Sequence, residues 1–174
     1  GCGNGLIIPE VLKNGAKKYF GLDISSGLIK IAKNKYATEI KKGKAELQVG
    51  NALKLPYKNN KFDVIFSFAV MHHLPGQENH LKFLQEINRV LKPGGKAVII
   101  NWNLLNKKTS DKFQIKEKLV QTKKEGYNER DVFVTWKATP GLDVQRFIHI
   151  FISEELKFLA KRAKFKKIKI ESYG

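Results

Sequence analysis

Residues 62–70, Phe-Asp-Val-Ile-Phe-Ser-Phe-Ala-Val, form a short and nearly continuous apolar run. A strand that faces water on one side alternates polar and apolar residues, so this run reads as a strand covered on both faces, central in a parallel sheet. Its flanks supply the covering elements in alternation. A strand is expected near Tyr19–Ile24, then a helix near Gly27–Lys41 on the spacing of Leu28, Ile31, Ala32, Lys35 and Tyr36, then a strand near Glu46–Val49. Beyond the run, Leu81, Leu84, Ile87, Val90 and Leu91 share a helical face, which Pro93 stops and Gly94-Gly95 turns into a strand over Ala97–Trp102. The expected fold class is α/β, a doubly wound and mostly parallel sheet of the Rossmann-like kind with right-handed crossovers. At 174 residues, a single domain over 1–174 is expected.

The ends of this alternation are abrupt. Gly1-Cys2-Gly3-Asn4-Gly5 is a turn of the sort that follows a strand, and residues 166–174 alternate like a strand entering a turn. The chain therefore reads as a fragment of its fold, cut at both ends. Between Asn103 and Gln145 the alternation lapses into a basic insertion, rich in lysine over Lys107–Lys124, for which at most one helix near Lys112–Lys124 is expected. A helix then resumes over Glu154–Ala163, with Ser153 as its N-cap and Glu154 and Glu155 favourable to its dipole.

Charge narrows the partners. The chain carries 33 Lys+Arg against 16 Asp+Glu, a net +17, which favours a polyanion such as nucleic acid. Only Arg89, Arg130, Arg146 and Arg162 are arginines, so a lysine bias of the whole proteome would account for the same number. No apolar run approaches the roughly 20 residues of a membrane span and no secretory signal is visible, so no membrane and a cytoplasmic location are expected. Cys2 stands alone, which excludes a disulfide or a multi-cysteine metal site, and no metal centre is expected.

A glycine loop after a strand lets backbone approach a ligand, and an acidic residue at the end of the next strand is placed to accept from ribose hydroxyls. Gly1, Gly3 and Gly5 supply such a loop, and Asp23 follows. The dinucleotide fingerprint has a third glycine after two intervening residues, which this loop lacks, and that weighs against NAD.

The series GCGNG, GLDIS, GNALKLP, FDVIFSFAVMHHL and EINRVLKPGG resembles, in order and spacing, the class I S-adenosylmethionine-dependent methyltransferases. The resemblance implies that Gly1, Cys2, Gly3, Asn4 and Gly5 pass against S-adenosyl-L-methionine. It also implies that Asp23 and Ile24 meet its ribose, Asn51 and Ala52 its adenine, and that Phe68 and Ala69 lie near the transferable methyl. Farther on, Asp131-Val132-Phe133-Val134-Thr135-Trp136, Arg146-Phe147-Ile148-His149-Ile150-Phe151 and Glu154-Glu155-Leu156 resemble the tRNA wobble-uridine carboxymethyl methyltransferases. This implies tRNA rather than DNA as partner, and in some members a small zinc-ribbon activator.

A carboxylate acceptor is already an anionic nucleophile, so alignment matters more than a general base. Arg146 and His149 are the candidates to grip it, and His72, Asp131 and Trp136 to border the substrate, Trp136 by stacking a base. Three of these have a structural alternative: Trp136 as a core anchor, Arg146 paired with a carboxylate such as Asp143, His149 as a satisfied buried histidine. His80 is expected on a solvated helix face. A small-molecule methyltransferase of the same fold and an inactive cofactor-binding subunit remain the other readings.

Overall fold

A computed structural model of the chain describes residues 1–125, 127–139 and 142–172. The backbone divides into two compact units, one made of Gly1–Phe68 and Arg89–Val98, the other of Ala69–Asn88 and Ile99–Gly174. Three two-stranded sheets are present among the described residues. No helix among them is long and apolar enough to cross a membrane.

The first unit begins with helix α1 (Ile8–Lys13), which Pro9 starts, and continues through β1 (Tyr19–Asp23), α2 (Ser26–Lys35), α3 (Ala37–Lys41) and β2 (Ala45–Val49). Strands β1 and β2 are parallel, in a register running from Tyr19 opposite Ala45 to Asp23 opposite Val49. Helix α2 packs against both. Its first turn is capped by Ser25, whose hydroxyl oxygen accepts from the Leu28 N–H at 3.2 Å. The single helix expected over Gly27–Lys41 is broken at Tyr36, where φ −113° and ψ 30° interrupt the ladder. The buried face is also different from the one expected. Ile29, Ala32 and Tyr36 are buried while Leu28 and Ile31 are exposed, because a helix starting at Ser26 turns the former set toward the sheet. Ile8, Tyr19, Ala32, Tyr36 and Leu47 form the core of this unit, with Cys2 packed against it.

Strand β3 (Phe62–Phe68) pairs with β4 (Leu91–Ile100). The expected double coverage of the apolar run is not found: Val64 is 45% exposed, Phe66 42% and Phe68 36%. Strand β4 starts at Leu91, six positions earlier than the expected Ala97, and contains Gly94 at φ 80°. The Arg89 guanidinium anchors the preceding loop by donating to the carbonyls of Tyr57 at 2.7 Å and Leu55 at 3.0 Å.

The second unit holds a 3-10 turn (Met71–His73), most of α4 (Gln77–Val90), α5 (Lys107–Phe113), α6 (Ile115–Lys124), β5 (Asp131–Thr139), β6 (Leu142–His149) and α7 (Ser153–Arg162). Where at most one helix is expected, the insertion holds α5, α6 and β5 and shares a core with the residues that follow it. Leu104, Ile115, Val132, Val134, Ile148 and Ile150 are buried together, with Trp102, Phe113 and Leu119 packed against them. Strands β5 and β6 are antiparallel, with Asp131 opposite His149 and Val134 opposite Arg146. The alternation of Val132 and Val134 against Ile148 and Ile150 is the period-2 signal of a half-buried hairpin. Gly126, Pro140 and Gly141, within the expected insertion, lie outside the described residues.

Two further expectations change. Ser153 does not cap α7: the cap position is Ile152 and no side-chain bond closes the first turn, since Ser153 is already helical. Residues 166–172 form no strand, and Tyr173 and Gly174 lie outside the described residues.

Candidate functional site

In the first unit the loop preceding α1 meets the end of β1. Gly3 and Gly5 adopt φ 55° and 80°, a region that glycine enters without the clash of a Cβ. A Cβ at Gly5 would lie 2.8 Å from both Ile8 Cδ1 and Tyr36 Cε2, so this turn admits no side chain. The Cys2 N–H donates to the Leu22 carbonyl at 2.9 Å, aligning the loop with β1. Asp23 is buried, and its carboxylate accepts from the Gly3 N–H at 2.8 Å through Oδ2 and from the Ser25 N–H at 2.9 Å through Oδ1. Each oxygen keeps a further lone pair for a ligand. Cys2 packs over Gly21, where a Cβ would come within 2.9 Å of its Sγ, and burial pushes the thiol pKa up. Its role is packing. Asn51 is exposed, and its Oδ1 accepts from the Leu53 N–H at 2.8 Å, shaping the turn after β2.

In the second unit a file of rings leads outward from a buried histidine. His72 is fully buried, its ring 5.3 Å from Trp102, and Trp102 is 5.7 Å from Trp136. The Arg146 guanidinium lies 4.6 Å from the Trp136 ring centroid. Burial first, then the neighbouring His73, lowers the His72 pKa to about 4, so the ring is neutral at physiological pH. His73 Nδ1 donates to the Phe147 carbonyl at 2.8 Å. Beside Trp136 lies a cavity of about 430 Å³ lined by Lys112, Phe113, Gln114, Lys118, Thr135 and Trp136.

A separate buried cluster occupies the other end of the hairpin. His149 Nδ1 is 2.6 Å from Asp131 Oδ1, and Nε2 is 3.1 and 3.2 Å from the two oxygens of Glu155. Burial opposes charge on His149, but the bonds to Glu155 and Asp131 outweigh it and hold the pKa above the ordinary value. Burial pushes Glu155 the other way from its partners, and His149 with Arg130 brings its pKa net below the usual carboxylate range. Arg130 reaches Glu155 Oε2 at 3.3 Å. His80 is 1% exposed, and its ring is 4.8 Å from those of both His149 and Phe151.

Residues 1–99 match the family model described as a methyltransferase domain. The chain belongs to the methyltransferase domain family. It is 28% identical to the tRNA (carboxymethyluridine(34)-5-O)-methyltransferase of Schizosaccharomyces pombe, a match covering 94% of this chain and 70% of that protein. It is 43% identical to the demethylmenaquinone methyltransferase of Lactococcus lactis over 83 residues, 48% of this chain and 31% of the other. Among solved structures, an S-adenosylmethionine-dependent methyltransferase of Methanosarcina mazei superposes with a TM-score of 0.73 at 26% identity, over 95% of this chain and 77% of that one. The chain spans between 24% and 70% of the length of the curated relatives compared.

The architecture is thus that of a Rossmann-like class I methyltransferase domain, and S-adenosylmethionine is its cofactor. The loop fits that molecule: Gly3 and Gly5 hold its backbone in left-handed turns beside the Asp23 carboxylate, whose spare acceptor capacity suits a pair of vicinal hydroxyls. When bound, the cofactor supplies a sulfonium-activated methyl group. Of the residues expected to touch it, Gly1, Cys2, Gly3, Asn4, Gly5, Asp23, Ile24, Asn51, Ala52 and Phe68 fall in the first unit of this methyltransferase domain, with Ile24 and Phe68 exposed. Ala69 falls in the second, in the left-handed region at φ 55°.

The acceptor residues fare differently. Arg146 and Trp136 are brought together, but His149 and Asp131 are turned onto each other and buried, so neither is free to grip a carboxylate. His72 is likewise enclosed. His80, expected on a solvated face, is buried because it shares the helical spacing of Leu84 and Ile87, and its Nε2 donates to the Leu74 carbonyl at 2.6 Å. That spacing was the available signal. Glu155, read only as a dipole partner, points into the same cluster.

Proposed function

We propose that the protein to which this methyltransferase domain belongs esterifies the carboxylate of a 5-carboxymethyluridine at the wobble position of tRNA. The first unit holds the cofactor and the second recognises the acceptor. The observation that carries this reading is Arg146 stacked on Trp136 beside a groove bordered by Lys112, Lys118 and Phe113. Among the described residues Arg146 makes no ion pair, so stacking positions the guanidinium while its N–H fork stays free for a carboxylate. The lysines suit phosphate, and the rings suit an unstacked base. The activity named for the Schizosaccharomyces pombe relative supports the same acceptor, because that match runs over 94% of the chain and so extends into the second unit.

The chemistry asks little of the protein beyond alignment. A carboxylate acceptor is already anionic, so no proton would have to be removed before it takes the methyl group that a bound cofactor would supply. Arg146 orients the carboxylate, at the expense of some nucleophilicity, and the balance favours catalysis where orientation gains more than pairing quenches. A small-molecule acceptor is the second reading, favoured by the 43% identity to the Lactococcus lactis demethylmenaquinone methyltransferase over the 83 residues matched.

The test is methyl transfer to carboxymethyluridine-containing tRNA by wild-type protein and Arg146→Lys, with cofactor binding followed by calorimetry. Lysine keeps the charge but loses the fork, so turnover should fall about 10- to 100-fold, the worth of a charge-assisted hydrogen bond, with cofactor affinity unchanged. Undiminished turnover in Arg146→Lys would return Arg146 to a structural role. Methylation of a quinol in place of tRNA would support the second reading.

A further inference from the structure

Three elements of the second unit bring histidine and carboxylate side chains to one buried point. His80 comes from the first turn of α4, His149 from the end of β6 and Glu155 from the first turn of α7. One ligand atom from each lies within 4.8 Å of the others, the only such grouping of three among the described residues.

The hydrogen bonding leaves lone pairs facing inward. The Asp131 carboxylate can only accept, so the 2.6 Å contact fixes a proton on His149 Nδ1 and directs Nε2 toward Glu155. An imidazole nitrogen and a carboxylate oxygen 3.1 Å apart need a positive centre between them. A proton on His149 would serve there, but it does nothing for His80. His80 Nε2 donates to the Leu74 carbonyl, which leaves Nδ1 as a bare lone pair, and that atom is buried without any hydrogen-bond partner. An orphaned acceptor of this kind is costly in a folded interior.

We propose that His80, His149 and Glu155 bind one divalent transition-metal ion of the zinc type, with Asp131 orienting His149 from behind. Two imidazoles and one carboxylate form a recurrent three-ligand zinc set, with a fourth position left to water. Ligand bonds of about 2.0–2.1 Å at tetrahedral angles separate neighbouring ligand atoms by roughly 3.3 Å. The His149–Glu155 spacing of 3.1–3.2 Å already matches that value. His80 offers a ligand atom within 4.8 Å of the other two, and its ring would move inward to complete the set. The Asp131–His149 contact is the carboxylate–histidine pairing that fixes tautomer and ring orientation in metal sites. Arg130 holds Glu155 Oε2, which leaves Oε1 for the ion. A cavity of about 180 Å³ lined by Gly76, Gln77, Asn128, Arg130, Asp131, His149 and Glu155 gives the ion its entry path. The two nitrogen ligands select against magnesium and calcium, which prefer all-oxygen sites. The ion would tie α4, the β5–β6 hairpin and α7 together, a structural clip and not a participant in methyl transfer.

The experiment is titration of the chelator-stripped full chain with Co²⁺, read by visible d–d absorption, then competition with Zn²⁺ and with Mg²⁺. One equivalent of Co²⁺ should give the intense bands of a four- or five-coordinate site, displaced by Zn²⁺ and unaffected by millimolar Mg²⁺. His80→Gln keeps an amide donor for the Leu74 carbonyl and removes the Nδ1 lone pair, so affinity should drop at least about 100-fold. Asp131→Asn should weaken it about 10- to 100-fold, as for outer-shell partners. Nitrogen NMR of the wild-type chain supplies a readout that does not depend on a variant folding: Zn²⁺ should shift His80 Nδ1 and His149 Nε2 together. No stoichiometric cobalt signal, unchanged affinity in a folded His80→Gln, or zinc shifts confined to other histidines would each overturn the assignment.

Discussion

Two buried carboxylate sites stand in this chain, and they are built in opposite ways. Asp23 in the first unit is held by backbone: its partners are the N–H groups of Gly3 and Ser25. Asp131 and Glu155 in the second unit are held mainly by side chains, His149 between them and Arg130 against Glu155, with one longer backbone bond of 3.3 Å from the Asn128 N–H to Asp131. A carboxylate neutralised by backbone dipoles needs only the right turn, and any sequence that makes the turn makes the site. A carboxylate neutralised by other ionisable side chains depends on several residues arriving together, and removing one leaves the rest as uncompensated charge.

That contrast sets the largest expected effect. His149→Ala, measured by denaturant unfolding of metal-free protein, should cost about 3–5 kcal/mol, the range for breaking a buried ion pair by deleting one partner. A loss below about 1 kcal/mol would mean that water already solvates Asp131 and Glu155, and the two sites would differ less than their geometry indicates.

The second unit, which holds all four histidines, should also carry a histidine-based pH signature. His72 ordinarily titrates at 6.5 but is held at about 4 by burial. A depressed folded-state pKa means that its contribution is fully present above 6.5 and is lost as pH falls through about 4. By pH 4 the loss should reach about 3 kcal/mol, because each tenfold drop in proton affinity on folding is worth about 1.4 kcal/mol. The measurement is the stability difference between pH 7 and pH 4 for wild type and for His72→Gln. The acid loss should shrink in the variant by most of that amount, and parallel curves would show that His72 charges freely in the fold.

In the first unit the sensitivity should lie in backbone conformation. Gly5→Ala combines a left-handed φ with contacts at 2.8 Å to Ile8 and Tyr36 and should destabilise by about 2–3 kcal/mol. Gly3→Ala, at φ 55° with nothing within 4 Å of the added Cβ, should cost only about 1 kcal/mol. Equal losses at the two positions would show that conformation alone, and not the close packing under the loop, makes Gly5 necessary.

The same contrast explains what is readable in the sequence. Strands β1 and β2, the glycine loop and Asp23 follow from contiguous patterns, because backbone sites are encoded within one turn and the strand beside it. Helix α4 is legible as an apolar stripe, and the burial of His80 follows from the spacing it shares with Leu84 and Ile87, but nothing local tells which side chains it meets across the packing. The hairpin of β5 and β6 carries a period-2 pattern in Val132, Val134, Ile148 and Ile150, hidden by the lysine-rich segment that precedes it.

By itself the sequence determined the α/β character, the family and the cofactor, all of which rest on local order: glycine at turns, apolar runs in strands, an acid after β1. Only the tertiary structure decided the fate of the histidines. His149 met Asp131 because the antiparallel register sets them opposite each other, and it met Glu155 and His80 because α7 and α4 close over the same strand end. Register and packing act across long separations, where no local propensity reports the distance between two side chains.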